Sequence, residues 1–441
     1  MKMKTVVLIL LLVSCLLGTS LATAQKTARG SKESPIAAYK LVGLKVTGTQ
    51  RYTEKEILPA SGLALGQNVA EADFKEAARR LGDTGLFTDV AYSFSFSPSG
   101  TKLEFQLTDV EESKLVPAHF ENFVWFSDEQ LLSEIQGRVP LFKLLMPVGG
   151  TMPDHLEEAL QAILDEKKIP ARVDYLREAP QEGGSLIGLS YRVEALQIHI
   201  GDVEFPGATP DQLPALQAAA RKLTGAPYVR SGLAQVARVE FMPVCLQRGY
   251  LKASFADSQA RVVTQSGGEV EVVAILPLTP GKVYSTSSVD WKGNKVFPAD
   301  ELQRQIHLPA GQPADALRLI SDLEKVAKLY HTKGYMAARI TPKPLLDDDH
   351  STVHYDLNLV EGDQFKMGEF EVIGLDSQAK AHLQAAWKLS EGQPYDSEYS
   401  QRFLEETSRF VPSSVPWDIK VHEAVNEKDK TVDVTIRFIA R

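Results

Sequence analysis

The chain has 441 residues, a formal net charge of -9, and 44% hydrophobic against 24% charged content. A single core closes at about 100 to 150 residues, so one ordinary domain is excluded, and the composition excludes disorder over most of the chain. An acidic balance with no Lys/Arg run leaves no electrostatic footprint for nucleic acid.

The first 24 residues read as an export signal. Lys2 and Lys4 precede an apolar run from Val6 to Leu17, and Ala22-Thr23-Ala24 is a small-x-small cleavage site before Gln25. Its removal takes the net charge from -9 to -11. Leu12-Val13-Ser14-Cys15 offers an alternative, a lipoprotein box with Cys15 lipidated. Residues 25-38 form a polar linker. With Cys15 removed, Cys245 stands alone, so the exported chain depends on packing rather than on a disulfide, and Cys245 reads as a small core residue. After the signal, no apolar run approaches the ~20 residues of a membrane-spanning helix.

From residue 39 one pattern recurs. A strand ends in glycine at Val46-Thr47-Gly48, Phe205-Pro206-Gly207, Trp291-Lys292-Gly293 and Val372-Ile373-Gly374, at intervals of 159, 86 and 81 residues. The long first interval predicts another copy at His119 to Phe126, an aromatic strand with Ser127 in place of glycine. A short helix follows each strand, as at Glu54 to Leu58 and Asp300 to Ile306. Next comes a turn such as Leu223-Thr224-Gly225-Ala226-Pro227, Leu308-Pro309-Ala310-Gly311-Gln312-Pro313 or Leu389-Ser390-Glu391-Gly392-Gln393-Pro394, where Gly and Pro end one helix and set up the next.

The second helix is longer. Over Asp315 to Lys333 the spacing of Leu317, Ile320, Leu323, Val326 and Tyr330 predicts one apolar face. It ends at Gly334-Tyr335, as equivalent helices end at Gly249-Tyr250 and Gly85-Leu86. Two alternating strands close each copy, Leu251 to Phe255 with Val270 to Ala274, and Ala337 to Thr341 with Val353 to Leu359. Glu361-Gly362 is then a short junction between copies. The expected fold is α+β, with tandem β-α-α-β-β repeats, each a three-stranded sheet carrying two helices on one face. The repeats are placed at 39-112, 113-195 (divergent), 196-280, 281-362 and 363-441.

Such a unit of about 80 residues, repeated behind an export signal with a strand-terminal Gly, an L-x-x-G-x-P turn and a Gly-Tyr helix end, resembles the POTRA (polypeptide-transport-associated) repeats. These form the periplasmic arm of outer-membrane assembly and two-partner secretion barrels. The resemblance implies a non-catalytic scaffold in the periplasm or at the outer-membrane periphery of a Gram-negative-type cell. Implied partners are unfolded or barrel-type outer-membrane polypeptides, or a separate outer-membrane barrel protein, with membrane contact no more than peripheral. One departure is the expected last strand, Val432 to Ala440, which reaches Arg441 and leaves no room here for a barrel.

No P-loop, G-x-G-x-x-G, G-x-S-x-G or H-E-x-x-H occurs, and no catalytic residue, cofactor or metal ligand set is expected. Asp347-Asp348-Asp349-His350 with His354 is read as a solvated hairpin tip, the remote alternative being part of a metal-dependent hydrolase. Binding is placed at sheet edges, which can accept an extended peptide as an added strand. In the POTRA family the second strand is the exposed edge, which carries over to Leu251, Lys252, Ala253, Ser254 and Phe255, and to Ala337, Ala338, Arg339 and Ile340. A second candidate is the apolar stretch containing Leu141, Phe142, Leu144, Leu145 and Met146, either a sticky patch or a segment folded beneath a helix. Trp125 and Trp291 are expected at equivalent first-strand positions in cores. The rival reading is a cell-envelope adapter that spaces other complexes without binding clients.

Overall fold

The computed structural model describes residues 39-179, 186-407 and 415-440. The signal and linker readings, Cys15 included, lie outside these residues. By its internal contacts the described chain forms two compact units, one running to Asp83 together with Phe87-Asp109, the other comprising Thr84-Leu86 and the chain from Val110 onward.

The first unit contains β1 (Tyr39–Thr47), α1 (Glu54–Ala60), β2 (Asn68–Val69), α2 (Glu71–Asp83), β3 (Phe87–Ser97) and β4 (Gly100–Asp109). The sheet order is β2-β1-β4-β3. The last strand is therefore central, parallel to β1 and antiparallel to β3. Helix α2 is amphipathic, and its Phe74, Ala77 and Leu81 are buried, as are Leu103, Phe105 and Leu107 on β4.

The second unit repeats this plan. The divergent repeat has β5 (Leu115–Phe120), α3 (Asp128–Arg138), β6 (Leu145–Pro147), α4 (Met152–Glu166), β7 (Arg172–Glu178) and β8 (Gly188–Glu194), in the order β6-β5-β8-β7. The next has β9 (Gln197–Glu204), α5 (Leu213–Ala220), then α6 (Arg230–Val236) running through a π turn into α7 (Met242–Leu246). It closes with β10 (Ser254–Phe255), β11 (Gln259–Ser266), β12 (Glu269–Ile275) and β13 (Leu278–Thr279), where β11-β12-β9 form one sheet and β10-β13 a short ladder.

The fourth repeat has β14 (Ser285–Lys292), α8 (Ala299–Gln303), α9 (Ala316–His331), β15 (Arg339–Asp347) and β16 (Thr352–Val360), ordered β14-β16-β15. The fifth has β17 (Lys366–Ile373), α10 (Ser377–Ala386), α11 (Tyr399–Thr407), β18 (Trp417–Asn426) and β19 (Thr431–Ala440), ordered β17-β19-β18. The fold is thus α+β throughout. Among the described residues no helix is long and apolar enough to cross a membrane.

The strand-terminal glycines have a steric cause. Gly48, Gly207, Gly293 and Gly374 have φ between 85° and 93°, and a Cβ there would lie 2.0-2.3 Å from a carbonyl oxygen of Leu107, Leu359 or Phe438 in the closing strand, or of Leu278 on β13 just after it. The divergent repeat solves the same problem differently, which corrects the expected strand at 119-126. Strand β5 stops at Phe120, and the Asn122 side chain pairs both backbone groups of Val193, accepting from its N–H at 2.7 Å and donating to its carbonyl at 2.9 Å. Ser127 is the N-cap of α3, accepting the Gln130 N–H.

Two further expectations need correction. The buried face of α9 runs through Leu319, Leu323, Val326 and Tyr330, while Ile320 is 51% exposed, and Asp315 caps the helix by accepting the Arg318 N–H. Leu251, Lys252 and Ala253 are not a strand. They form the turn leaving the helix, with Ala253 N–H donating to Tyr250 O.

Candidate polypeptide-binding edges

Each sheet has two outer strands, and the repeats treat them differently. The outer edge of the first strand is closed by the L-x-x-G-x-P turn. In the fourth repeat Thr286 N–H donates to Gln312 O (2.9 Å), Gly311 N–H to Thr286 O (2.8 Å) and Ala314 N–H to Tyr284 O (2.8 Å), with Pro313 bridged to Ser285. The same three bonds recur as Ile200/Ala226, Gly225/Ile200 and Tyr228/Ile198, and as Met367/Gln393, Gly392/Met367 and Tyr395/Phe365. In the first and divergent repeats the turn extends into β2 and β6, giving four-stranded sheets where three strands were expected.

The second-strand edge stays open. Among the described residues, strands β3, β7, β11, β15 and β18 each have a neighbour on one side only. Their quality as templates differs. Strand β11 is separated from β10 by Ala256-Asp257-Ser258 and carries a bulge between Val262 and Thr264. Strand β15 contains Pro342 and Pro344 opposite Leu357 and Tyr355. A proline has no N–H to give, so in a paired edge strand it occupies positions whose nitrogen faces away from the neighbour. Half of the outward donors among Ile340, Pro342, Pro344 and Leu346 are therefore missing. Strand β18 pairs with β19 over ten consecutive residues without a register shift and contains no proline.

These observations relocate the sequence candidates. Leu251 packs against the next core, the cluster that includes Tyr284, and Lys252 is engaged by Asp348, so neither offers a free strand edge. Ser254 and Phe255 lie on β10, paired with β13. Ala337 precedes the edge strand and Ala338 is buried, leaving Arg339 and Ile340 on β15 itself. In the apolar stretch, Leu141, Phe142 and Met146 are core residues and cannot form a surface patch. The hydrophobic segment folds under its own repeat because Leu145 to Pro147 pairs with β5 as β6. Only Leu144 (47%) and Leu145 (37%) of these five are exposed. Trp291 lies on β14 as expected, but Trp125 sits in a turn and donates its indole N–H to Gln265 Oε1 at 2.9 Å.

The acidic hairpin is a clasp between repeats. Both Asp348 carboxylate oxygens lie 2.6 Å from Lys252 Nζ, the Tyr284 hydroxyl donates to it, and Lys282 Nζ bonds its backbone carbonyl at 2.8 Å. The Lys252 ammonium, then the Tyr284 hydroxyl, hold its carboxyl below the usual aspartate value. Asp347 turns inward to the N–H groups of Asp349 and His350 and to the His350 ring. His354 points elsewhere, to Ser288 Oγ at 2.7 Å and to Asp356 at 3.2 Å. Asp290, His354 and Asp356 do come together, but Lys292 Nζ lies 2.7 Å from Asp356 and supplies the countercharge.

Sequence reading missed the joints between repeats. Gly249 and Gly334 end their helices at φ 81° and 85°, and their carbonyls accept the N–H of Tyr284 (2.8 Å) and Phe365 (2.7 Å), the first residues of the next repeat's core. Leu251 and Met336 then pack into those next cores. The joint after the divergent repeat uses other groups. Buried Glu121 accepts from Arg230 N–H (3.0 Å) and Ser231 N–H (2.9 Å), while the Arg230 guanidinium pairs with Asp128 at 2.8 Å.

Comparison with known proteins agrees with this architecture. The POTRA family model, described as a surface antigen variable number repeat, matches residues 284-362. The outer membrane protein assembly factor BamA of Neisseria meningitidis serogroup B is 23% identical over 176 residues, which cover 37% of this chain and 22% of that protein. The chain therefore matches about a fifth of its relative's length. Among solved structures, POTRA domains 3-5 of Haemophilus influenzae BamA give a TM-score of 0.42 at 16% identity, covering 55% of this chain and 96% of that one. CdiB from Escherichia coli gives 0.20 at 14% identity, covering 48% and 34%. Residues 284-362 match the POTRA model, and the β-α-α-β-β order seen there recurs along the described chain.

Proposed function

We propose that this chain is a non-catalytic periplasmic scaffold of five POTRA-like domains, at 39-112, 113-195, 196-280, 281-362 and 363-441. In this reading it binds polypeptides, or an outer-membrane barrel partner, during outer-membrane protein assembly or secretion. The observation that carries it is the asymmetry of the sheets. Each repeat spends a turn on closing one edge and leaves the other unpaired. An unprotected edge is a liability in a soluble protein unless something adds to it. Strand addition draws affinity from main-chain hydrogen bonds and asks little of sequence, which suits a scaffold with many extended clients. The POTRA match and the likeness to an assembly factor support the same class of role.

The adapter reading has its own support in the joints at Gly249 and Gly334, which fit a spacer as well as a binder. Two peptide changes separate the readings. Binding of an extended peptide to the full chain is expected to survive scrambling of its sequence and to be lost when alternate backbone amides are N-methylated. Equal binding of the methylated peptide, or no peptide binding, would leave the adapter role.

A further inference from the structure

On the outer face of the fourth repeat's sheet, the parallel pair β14-β16 sets Asp290 directly opposite Asp356 and Ser288 opposite His354. These residues of β16 alternate with buried Val353, Tyr355 and Leu357, so they stand on the side away from the core. Two carboxylates facing each other across neighbouring strands repel, and the pairing costs stability unless a cation joins them. The first repeat shows the ordinary arrangement, with Lys45 of β1 opposite Glu104 of β4 and its Nζ 2.8 Å from that carboxylate. In the fourth repeat Lys292 Nζ bonds Asp356 Oδ2 at 2.7 Å. Asp356 Oδ1 and Asp290 Oδ2 lie instead beside His354 Nε2, at 3.2 and 3.6 Å. Among the described residues no other cationic group stands within 4 Å of the Asp290 carboxylate.

These spacings match a metal coordination shell. Ligands held about 2.0 to 2.1 Å from a tetrahedral zinc ion stand about 3.3 to 3.4 Å from one another, and the two edges at His354 bracket that value. The carboxylate oxygens are within 4.8 Å of each other, and Asp290, with a 67% exposed side chain, has room to close the gap. His354 Nδ1 lies 2.7 Å from Ser288 Oγ. In the tautomer whose Nδ1–H donates to that oxygen, Nε2 presents its lone pair to the carboxylates, and engaging the second ring nitrogen fixes the orientation of a metal-binding imidazole. The ring and Asp356 both sit on β16, a central strand, and are preorganised by Ser288 and Lys292.

We infer that Asp290, His354 and Asp356 form a zinc-binding site, with Ser288 orienting the imidazole and Lys292 holding the second Asp356 oxygen. One imidazole and two carboxylates suit Zn2+ better than Ca2+ or Mg2+, which take six or more ligands, mostly oxygens. Three protein ligands leave the fourth position on the solvent side, for water or for a donor side chain of a bound polypeptide. The ion also offsets the repulsion between the strands, so binding stabilises the repeat. The inference is independent of strand addition, because it uses the outer face of the sheet and no free backbone edge.

The test titrates zinc chloride into the metal-stripped full chain at neutral pH, in competition with a chromophoric chelator, and follows thermal melts in parallel. The parent is expected to bind one ion and to melt higher with zinc. His354→Gln and, at the exposed position, Asp290→Asn should each weaken binding about tenfold or more, and Ser288→Ala about tenfold. In excess chelator Asp290→Asn should melt no lower than the parent, since the like-charged pair is gone. Failure of the parent to bind zinc, or binding by both His354→Gln and Asp290→Asn as tight as the parent's, overturns the inference. So does a lower melting point of Asp290→Asn in chelator, which would make the Asp290 carboxylate a partner of the imidazolium rather than a ligand awaiting a metal.

Discussion

Glycine at the end of the first strand, in every repeat but the divergent one, is where sequence and structure meet most directly. The residue was visible as a recurring punctuation mark, but the reason for it, a carbonyl of the closing strand about two ångströms from where a Cβ would stand, required the sheet order. Gly293→Ala is expected to cost about 2 to 3 kcal/mol, combining a left-handed backbone with a clash against Leu359 O. Gly311→Ala, also at positive φ but with open space around it, should cost only about 1 kcal/mol. Urea denaturation of the two variants side by side checks the difference. Glu361 is a second case, legible as a junction residue but not as an anchor. Its carboxylate accepts from Lys295 N–H (2.6 Å), Val296 N–H (2.8 Å) and the Tyr330 hydroxyl (3.0 Å), bracing the loop after Gly293. Burial pushes its carboxyl up, but the Val296 and Lys295 amides and the Tyr330 hydroxyl outweigh that and hold it below the ordinary glutamate value. Because the folded value is depressed, the stabilisation is complete above the unfolded pKa of about 4.3 and is lost as pH falls through the folded one. Glu361→Gln should therefore destabilise at neutral pH, by about 1 to 2 kcal/mol, and the gap to the parent should shrink in acid, as thermal melts across that range will show.

The turn between the helices is the element whose meaning changed most. Its Gly and Pro were readable as helix punctuation, whereas its use as a strand cap depends on a long-range contact that no local pattern encodes. Edge strands were harder still. After Gly249-Tyr250 the chain turns through Leu251, Lys252 and Ala253 and forms the short strand β10 paired with β13, so the run read as an edge strand lies too early, and the true edge strand β11 begins at Gln259. The alternating prolines of β15 were present in the sequence and were the signal that its edge is closed. A consequence is measurable by amide hydrogen exchange. The N–H groups of Ile200, Thr286 and Met367 should be protected by their turns, while those of Val421 and Val425 on β18 should exchange quickly despite lying in a continuous strand.

Across the molecule, the α+β class, the repeat and its period of about 80 residues were legible because hydrophobic periodicity and glycine spacing recur together. What joins the repeats was not, since Asp348 with Lys252, or Glu121 with Arg230, are pairs separated by about a hundred residues whose partnership only folding reveals. The central claim, an array that holds extended polypeptides along open sheet edges, is tested most directly by photocrosslinking in living cells from position 421, with position 340, which leaves both prolines of β15 in place, as the closed-edge control. Capture of outer-membrane barrel precursors or an assembly barrel from 421, and little from 340, is the predicted result. Equal capture from both positions, or recovery of soluble envelope proteins alone, would contradict it.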